Sequence, residues 1–137
     1  MGLEGMGSGL KTRLETISDL ARVYAPNELP NSNNEFPVAL VLPGETLYNQ
    51  TFGNAEIVTF RILIMLSKQD TPTVLNRMLD YIEKAGSDSV YAAIDGDATL
   101  GGEADFAMLI SNSGAGTTVW GGHQYLSTEF LVEAQKA

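Results

Sequence analysis

A chain of 137 residues with 17 Asp and Glu against 8 Lys and Arg carries a formal charge of −9 at pH 7, and its length is that of one domain with a core of its own. It has no cysteine, which excludes thiol catalysis, zinc–thiolate sites and a disulfide framework and fits a reducing cytoplasm. No apolar run approaches the ~20 residues that span a bilayer, and the opening MGLEGMGSGL lacks the basic and apolar regions of a signal peptide; a soluble, non-secreted protein is expected.

Gly2, Gly5, Gly7 and Gly9 predict a flexible segment over residues 1–9, followed by a single α+β domain over residues 10–137. Leu10, Leu14, Ile17 and Ala21 keep helical spacing with Ser8 as N-cap, so a first helix is expected to run to about Ala21–Tyr24, before Pro26. Ala25 to Asn34, rich in Pro, Asn and Ser, reads as a loop. Val38 to Leu42 is a short strand closed by Pro43-Gly44, and residues 45–56, with Tyr48, Phe52 and Gly53, form a long excursion.

Ile57 to Lys68 carries the strongest strand signal. Val58, Phe60, Ile62, Ile64 and Leu66 make a fully apolar face, which marks the core side. Asp70-Thr71-Pro72 opens a second helix whose apolar stripe is Val74, Leu75, Met78, Leu79 and Ile82, with Gly86 ending it. Ser87-Asp88-Ser89 caps a further short helix, Val90 to Ile94. Ala104 to Ser111 alternates with Phe106, Met108 and Ile110 inward. Gly114–Gly116 and Gly121-Gly122 bracket a short run containing Trp120, and the last strand, Gln124 to Ala134, places Leu126, Phe130 and Val132 inward. The expected fold class is α+β, an antiparallel β-sheet of about four strands with two main helices packed on one face.

The single histidine, His123, has no G-x-S-x-G elbow to serve and reads as an ordinary strand-start residue. Asp95 to Asp105 invites a calcium reading, but an EF-hand loop needs Gly and Glu where Leu100 and Phe106 stand. Glu129 and Glu133, four residues apart on one strand, lie ~13 Å from each other, too far for a glycosidase pair. Gly114-Ala115-Gly116 fails the dinucleotide fingerprint because Val119 replaces the third Gly, there is no Walker A sequence, and Asn49-Gln50-Thr51 is a glycosylation sequon without consequence outside secretion. From Ala85 to Gln135 stand seven acids and no Lys or Arg, a poor surface for gripping phosphates. No catalytic residue, cofactor or metal ligand is assigned, and no enzyme is expected.

The sheet face opposite the core strip is the remaining candidate. It is expected to carry Val41, Ile57, Leu63, Met65, Leu109, Tyr125 and Leu131 among Arg61, Glu129 and Glu133, more apolar surface than a monomer ordinarily leaves open. With the aromatics of the long loop, the candidate oligomer interface is Tyr48, Phe52, Leu63, Met65, Leu109, Tyr125 and Leu131. Cover by the N-terminal helix or the long loop is the alternative.

Several stretches in this order resemble the tail terminator (tail-completion) proteins of long-tailed, siphovirus-type bacteriophages, especially those of actinobacteria. Arg13 to Val23 (RLETISDLARV) is similar to the family's opening helix. FPVALVLPGE from Phe36 and YNQTFGNAEIVTFRILIMLSK from Tyr48 resemble its first two strands and the loop between them. AGSDSVYAAIDGDATLGGEADF and GGHQYLSTEFLVEA resemble the stretch after its second helix and its final strand. The resemblance covers nearly the whole chain, through order and spacing rather than a diagnostic motif; the elongated Asn-rich loop and added polar residues depart from the family pattern.

What it implies is a structural virion protein of the neck, assembled in the host cytoplasm. Such a protein forms a homo-oligomer, a hexameric ring, at the head-proximal end of the tail tube, stops tail polymerisation and completes head–tail joining. The implied partners are the major tail tube protein and the head-side connector or stopper protein; DNA passes through the lumen without specific binding, and no membrane is involved. An acidic chain suits such a conduit, and a ring needs two different patches per subunit. The alternatives are a head-to-tail stopper or other neck connector and, in another class, a small enzyme or an acidic ligand-binding module.

Overall fold

The apolar alternation of residues 57–66 builds the middle of a β-sheet. The computed structural model describes residues 2–25, 36–47, 56–67, 72–120 and 122–136. Their elements in chain order are α1 (Gly2–Leu14), β1 (Arg22–Tyr24), β2 (Val38–Leu47), β3 (Glu56–Ser67), α2 (Pro72–Ile82), α3 (Val90–Asp95), β4 (Phe106–Asn112), β5 (Gly116–Trp120) and β6 (His123–Lys136). The sheet runs β1-β2-β3-β6-β4, with β5 also pairing β6. All pairings are antiparallel except β1 with β2, which is parallel.

This corrects the expected architecture of about four antiparallel strands and two main helices. Among the described residues the sheet has six strands and is mixed, and three helices accompany it. The extra strands have local causes. α1 closes at Leu14, and Ile17 N–H bonds to the Leu14 carbonyl at 2.9 Å in a tightened last turn. Ala21 N–H then bonds to the Pro37 carbonyl at 2.8 Å, which sets Arg22 to Tyr24 beside β2 instead of prolonging the helix. β2 does not stop at Pro43-Gly44 but continues to Leu47 past a register shift between Pro43 and Thr46. An irregularity is where a strand tolerates proline, and a side chain at Gly44 would collide with the Thr59 carbonyl oxygen.

The main core lies between the sheet and the helices. Val58, Phe60, Ile62, Ile64 and Leu66 of β3 and Leu126, Phe130 and Val132 of β6 all belong to it, as the alternation predicts. Ala39 and Val41 of β2 join them, so Val41 sits on the helix side and not on the opposite face. α1 contributes Met6, Leu10 and Leu14, spaced by four and buried. Residues 2–9 are thus helical where a flexible segment was expected, and Ser8 is mid-helix, its carbonyl accepting from Thr12 Oγ1 at 3.1 Å. The glycines serve close packing: a Cβ at Gly9 would meet the backbone oxygen of Leu100 at 2.6 Å.

α2 faces inward through Met78 and Tyr81, whereas Leu75 and Leu79 of the expected stripe are exposed. Tyr81 decides this rotation, because its hydroxyl donates to Asp19 Oδ2 at 2.5 Å and Arg77 Nη2 donates to the same oxygen at 2.9 Å. Burial pushes the Tyr81 phenol well above its ordinary pKa, with the Asp19 bond acting the same way; that bond, helped by Arg77, holds the Asp19 carboxyl below its ordinary value. α3 begins at Ser89, whose Oγ accepts from Ala92 N–H at 3.0 Å and donates to the Glu83 carbonyl.

Candidate assembly surface

β4 and β5 line the same edge of β6. Phe106 pairs with Gln135 and Leu109 with Val132; the register shifts by one residue before Ser111, and β5 resumes from Gly116 opposite Ser127 to Trp120 opposite His123. The two are halves of one interrupted edge strand that leads back into β6, before which Gly122 takes φ 83°. The break is held locally: Gly114 N–H bonds to Asn112 Oδ1 at 2.7 Å, and Thr128 Oγ1 donates to the Gly114 carbonyl at 2.9 Å.

The faces of β4 are the reverse of the expectation. Ala107 is in the main core and Leu109 packs against it, while Phe106, Met108 and Ile110 are 37%, 47% and 50% exposed. The run Phe-Ala-Met-Leu-Ile is apolar on both faces, so alternation does not tell inside from outside. α3 packs against β4, and the smaller Ala107 is the residue that fits on that side. On β5, Val119 is exposed too, but opposite Gln124 on the other face of the sheet. Among the described residues no strand pairs with the outer edge of β4 or β5. The sheet therefore ends in a strip of exposed apolar side chains, with Asp105 exposed at its start and Asp95 exposed at the mouth of an open cleft between α3 and β4. Sequence reasoning missed this strip by assigning its residues to the core.

The residues of the expected interface are scattered. Leu63, Met65 and Tyr125 do share the face opposite the helices, but they are buried there in a second core with Val38 and Leu40. Phe36, Tyr24, Leu42 and Trp120 pack against that cluster, Phe36 with its ring centroid 5.4 Å from that of Tyr125. Leu109 belongs to the helix side, half-buried, and Leu131 is half-buried on β6. Tyr48 and Phe52 lie outside the described residues.

Two of the acidic residues singled out for chemistry are engaged locally. Glu129 is ion-paired with Arg61 across β6 and β3. Asp97 accepts from Thr99 Oγ1 at 2.7 Å, Thr99 N–H at 3.2 Å and Gly101 N–H at 3.0 Å; the Thr99 side chain first, and then the backbone, hold its carboxyl below the ordinary value. It organises a turn in which Leu100 adopts φ 52°. Among the described residues no three His, Cys, Asp or Glu side chains cluster as metal ligands. His123 begins β6 opposite Trp120, and no described helix is long and apolar enough to cross a membrane. No protein-family model matches the chain, and no curated protein matches it.

Proposed function

We propose that this chain is a structural subunit that works by assembling with copies of itself. The observation that carries the reading is the apolar row Phe106, Met108 and Ile110 on a sheet edge that no described strand covers. Apolar edges of this kind are rare on proteins that stay alone, because natural edges are ordinarily guarded by charge. Leu75 and Leu79, exposed four residues apart on α2, offer a second apolar site away from the edge, as a subunit with neighbours in more than one direction requires.

The particular role we propose is that of a bacteriophage tail terminator: a ring at the head-proximal end of the tail tube that ends tube growth and presents a surface to the head connector. The order and spacing of the stretches quoted above support this assignment, as does an acidic chain whose surplus charge lets DNA pass. Capping needs occupancy of the tube end and no turnover. Negative-stain imaging of the purified protein, alone and mixed with tail tubes, tests it. Six-fold rings at tube ends are expected. A strict monomer at high concentration that also leaves tube ends bare overturns the reading. Loss of the gene is expected to give overlong or unjoined tails, whereas normal tails with heads that leak DNA would assign the stopper role instead.

A further inference from the structure

We propose that Met108 is an oxidation site, through which peroxides loosen the contacts between copies and a thiol-dependent sulfoxide reductase restores them. The coupling to assembly rests on the self-assembly reading above; the site itself does not. Met6, Met65 and Met78 are buried, each 2% exposed or less, whereas Met108 is 47% exposed; Met1 lies outside the described residues. Oxidation of a thioether follows the access of the oxidant to sulfur, and the chain has no cysteine to intercept it. Among the described methionines the chemistry is therefore directed to one position, the middle of the row Phe106, Met108 and Ile110.

Hydrogen peroxide is the only co-reactant the step needs. The sulfur lone pair attacks one peroxide oxygen, the S–O bond forms as the O–O bond breaks, and the departing hydroxide takes the proton of the transferred oxygen and leaves as water. Sulfur is oxidised by two electrons and the peroxide is reduced by the same two. In the return step two thiols become a disulfide while the oxygen leaves as water. What changes at the edge is a flexible apolar side chain, able to adapt to a neighbour, that becomes a polar one. In the free subunit water serves the new oxygen. Under a neighbouring copy it must find a donor or stay unsatisfied, and an unsatisfied covered acceptor is penalised. Phe106 and Ile110 offer no side-chain donor, and Glu133, opposite Met108 on β6, is a carboxylate that accepts only. Oxidation therefore weakens assembly and spares the fold, because Met108 stands outside both cores.

The test treats the unaltered chain with hydrogen peroxide and follows it by peptide mass mapping and sedimentation velocity. One added oxygen is expected at Met108 about tenfold faster than at Met6, Met65 or Met78. The oxidised chain is expected to need a roughly tenfold higher concentration to assemble, with its circular dichroism unchanged, and to recover on incubation with a methionine sulfoxide reductase and a thiol. Met108→Leu keeps an apolar side chain without the sulfur, at a solvent-exposed position; it is expected to assemble as before and to ignore peroxide. Met108 oxidised no faster than the buried methionines overturns the site. Undiminished assembly after complete oxidation of Met108, or loss of assembly in peroxide-treated Met108→Leu, overturns the coupling while self-assembly stands. An unaltered chain that never assembles before treatment removes the parent reading and the coupling with it, and the oxidation map still decides the site.

Discussion

Replacing Gly9 by alanine separates a glycine that packs from one that merely bends. The new Cβ would stand 2.6 Å from the Leu100 carbonyl oxygen and 2.8 Å from its Cβ. Neither atom can give way cheaply, since Leu100 is 1% exposed and its backbone is fixed at φ 52° in the Asp97 turn. Overpacking of this kind costs about 1–3 kcal/mol, and alanine returns about 1 kcal/mol of helix propensity. Because the clash falls on a buried backbone, the cost is expected in the upper part of that range, about 2–3 kcal/mol, which leaves a net loss of about 1–2 kcal/mol, or roughly 3–8 °C in Tm for a chain of this size. Gly5, one turn earlier on α1, is the control. The atoms nearest a Cβ there belong to the Glu103 side chain, whose carboxylate end can swing away, so Gly5→Ala is expected to be neutral or more stable by up to about 1 kcal/mol. Urea unfolding and thermal melts of both variants check the pair. If Gly9→Ala equals or exceeds the unaltered protein, or Gly5→Ala loses as much as Gly9→Ala, α1 does not pack on the Leu100 turn as described.

Other outcomes follow from the hydrogen bonds and the exposed edge. Ser89→Ala removes the acceptor for Ala92 N–H and is expected to cost about 1–2 kcal/mol in urea unfolding. Asp19 has a folded pKa below its unfolded value of about 3.9, so its contribution is complete above that pH and is lost as pH falls through the folded pKa. Asp19→Asn should therefore be less stable than the unaltered protein at pH 6 and flatten the stability profile below about pH 4; an unchanged acid limb would refute the sign. The Tyr81 phenol should stay protonated when ordinary tyrosines ionise near pH 10, so Tyr81→Phe is expected to leave the native phenolate absorbance near pH 10–11 unchanged while lowering that of the unfolded chain. Ile110→Lys, at a half-exposed edge position, should stay within about 0.5 kcal/mol of the unaltered stability while shifting sedimentation towards the monomer.

Elements with one strictly apolar face were legible in advance. β3 and the inner face of β6 follow from alternation alone, and Ser89 as the cap of α3 follows from a polar cluster before a short apolar run. β4 was not legible, because its sequence satisfies either orientation and the choice depends on how closely α3, a different segment, approaches Ala107. In α1 the spacing of Met6, Leu10 and Leu14 competes with four glycines that each disfavour an isolated helix by about 1 kcal/mol. Tertiary burial settles that contest, and a linear reading has no access to it. Leu63, Met65 and Tyr125 were placed on the correct face of the sheet. Their burial depends on Phe36 and Trp120, 84 positions apart in the numbering, so the candidate surface moved from that face to the neighbouring edge.

The break between β4 and β5 also bears on what this molecule avoids. A straight run of free amide and carbonyl groups is a template on which any extended peptide can zip, and stacked copies then grow without end. Stepping the strand out of line at Leu109–Ser111 and again before Gly116 leaves only short stretches in phase with an incoming chain. The edge can therefore stay greasy without inviting amyloid, and recognition passes from the repetitive main chain, which is the same in every protein, to side chains that can tell a sibling from a stranger.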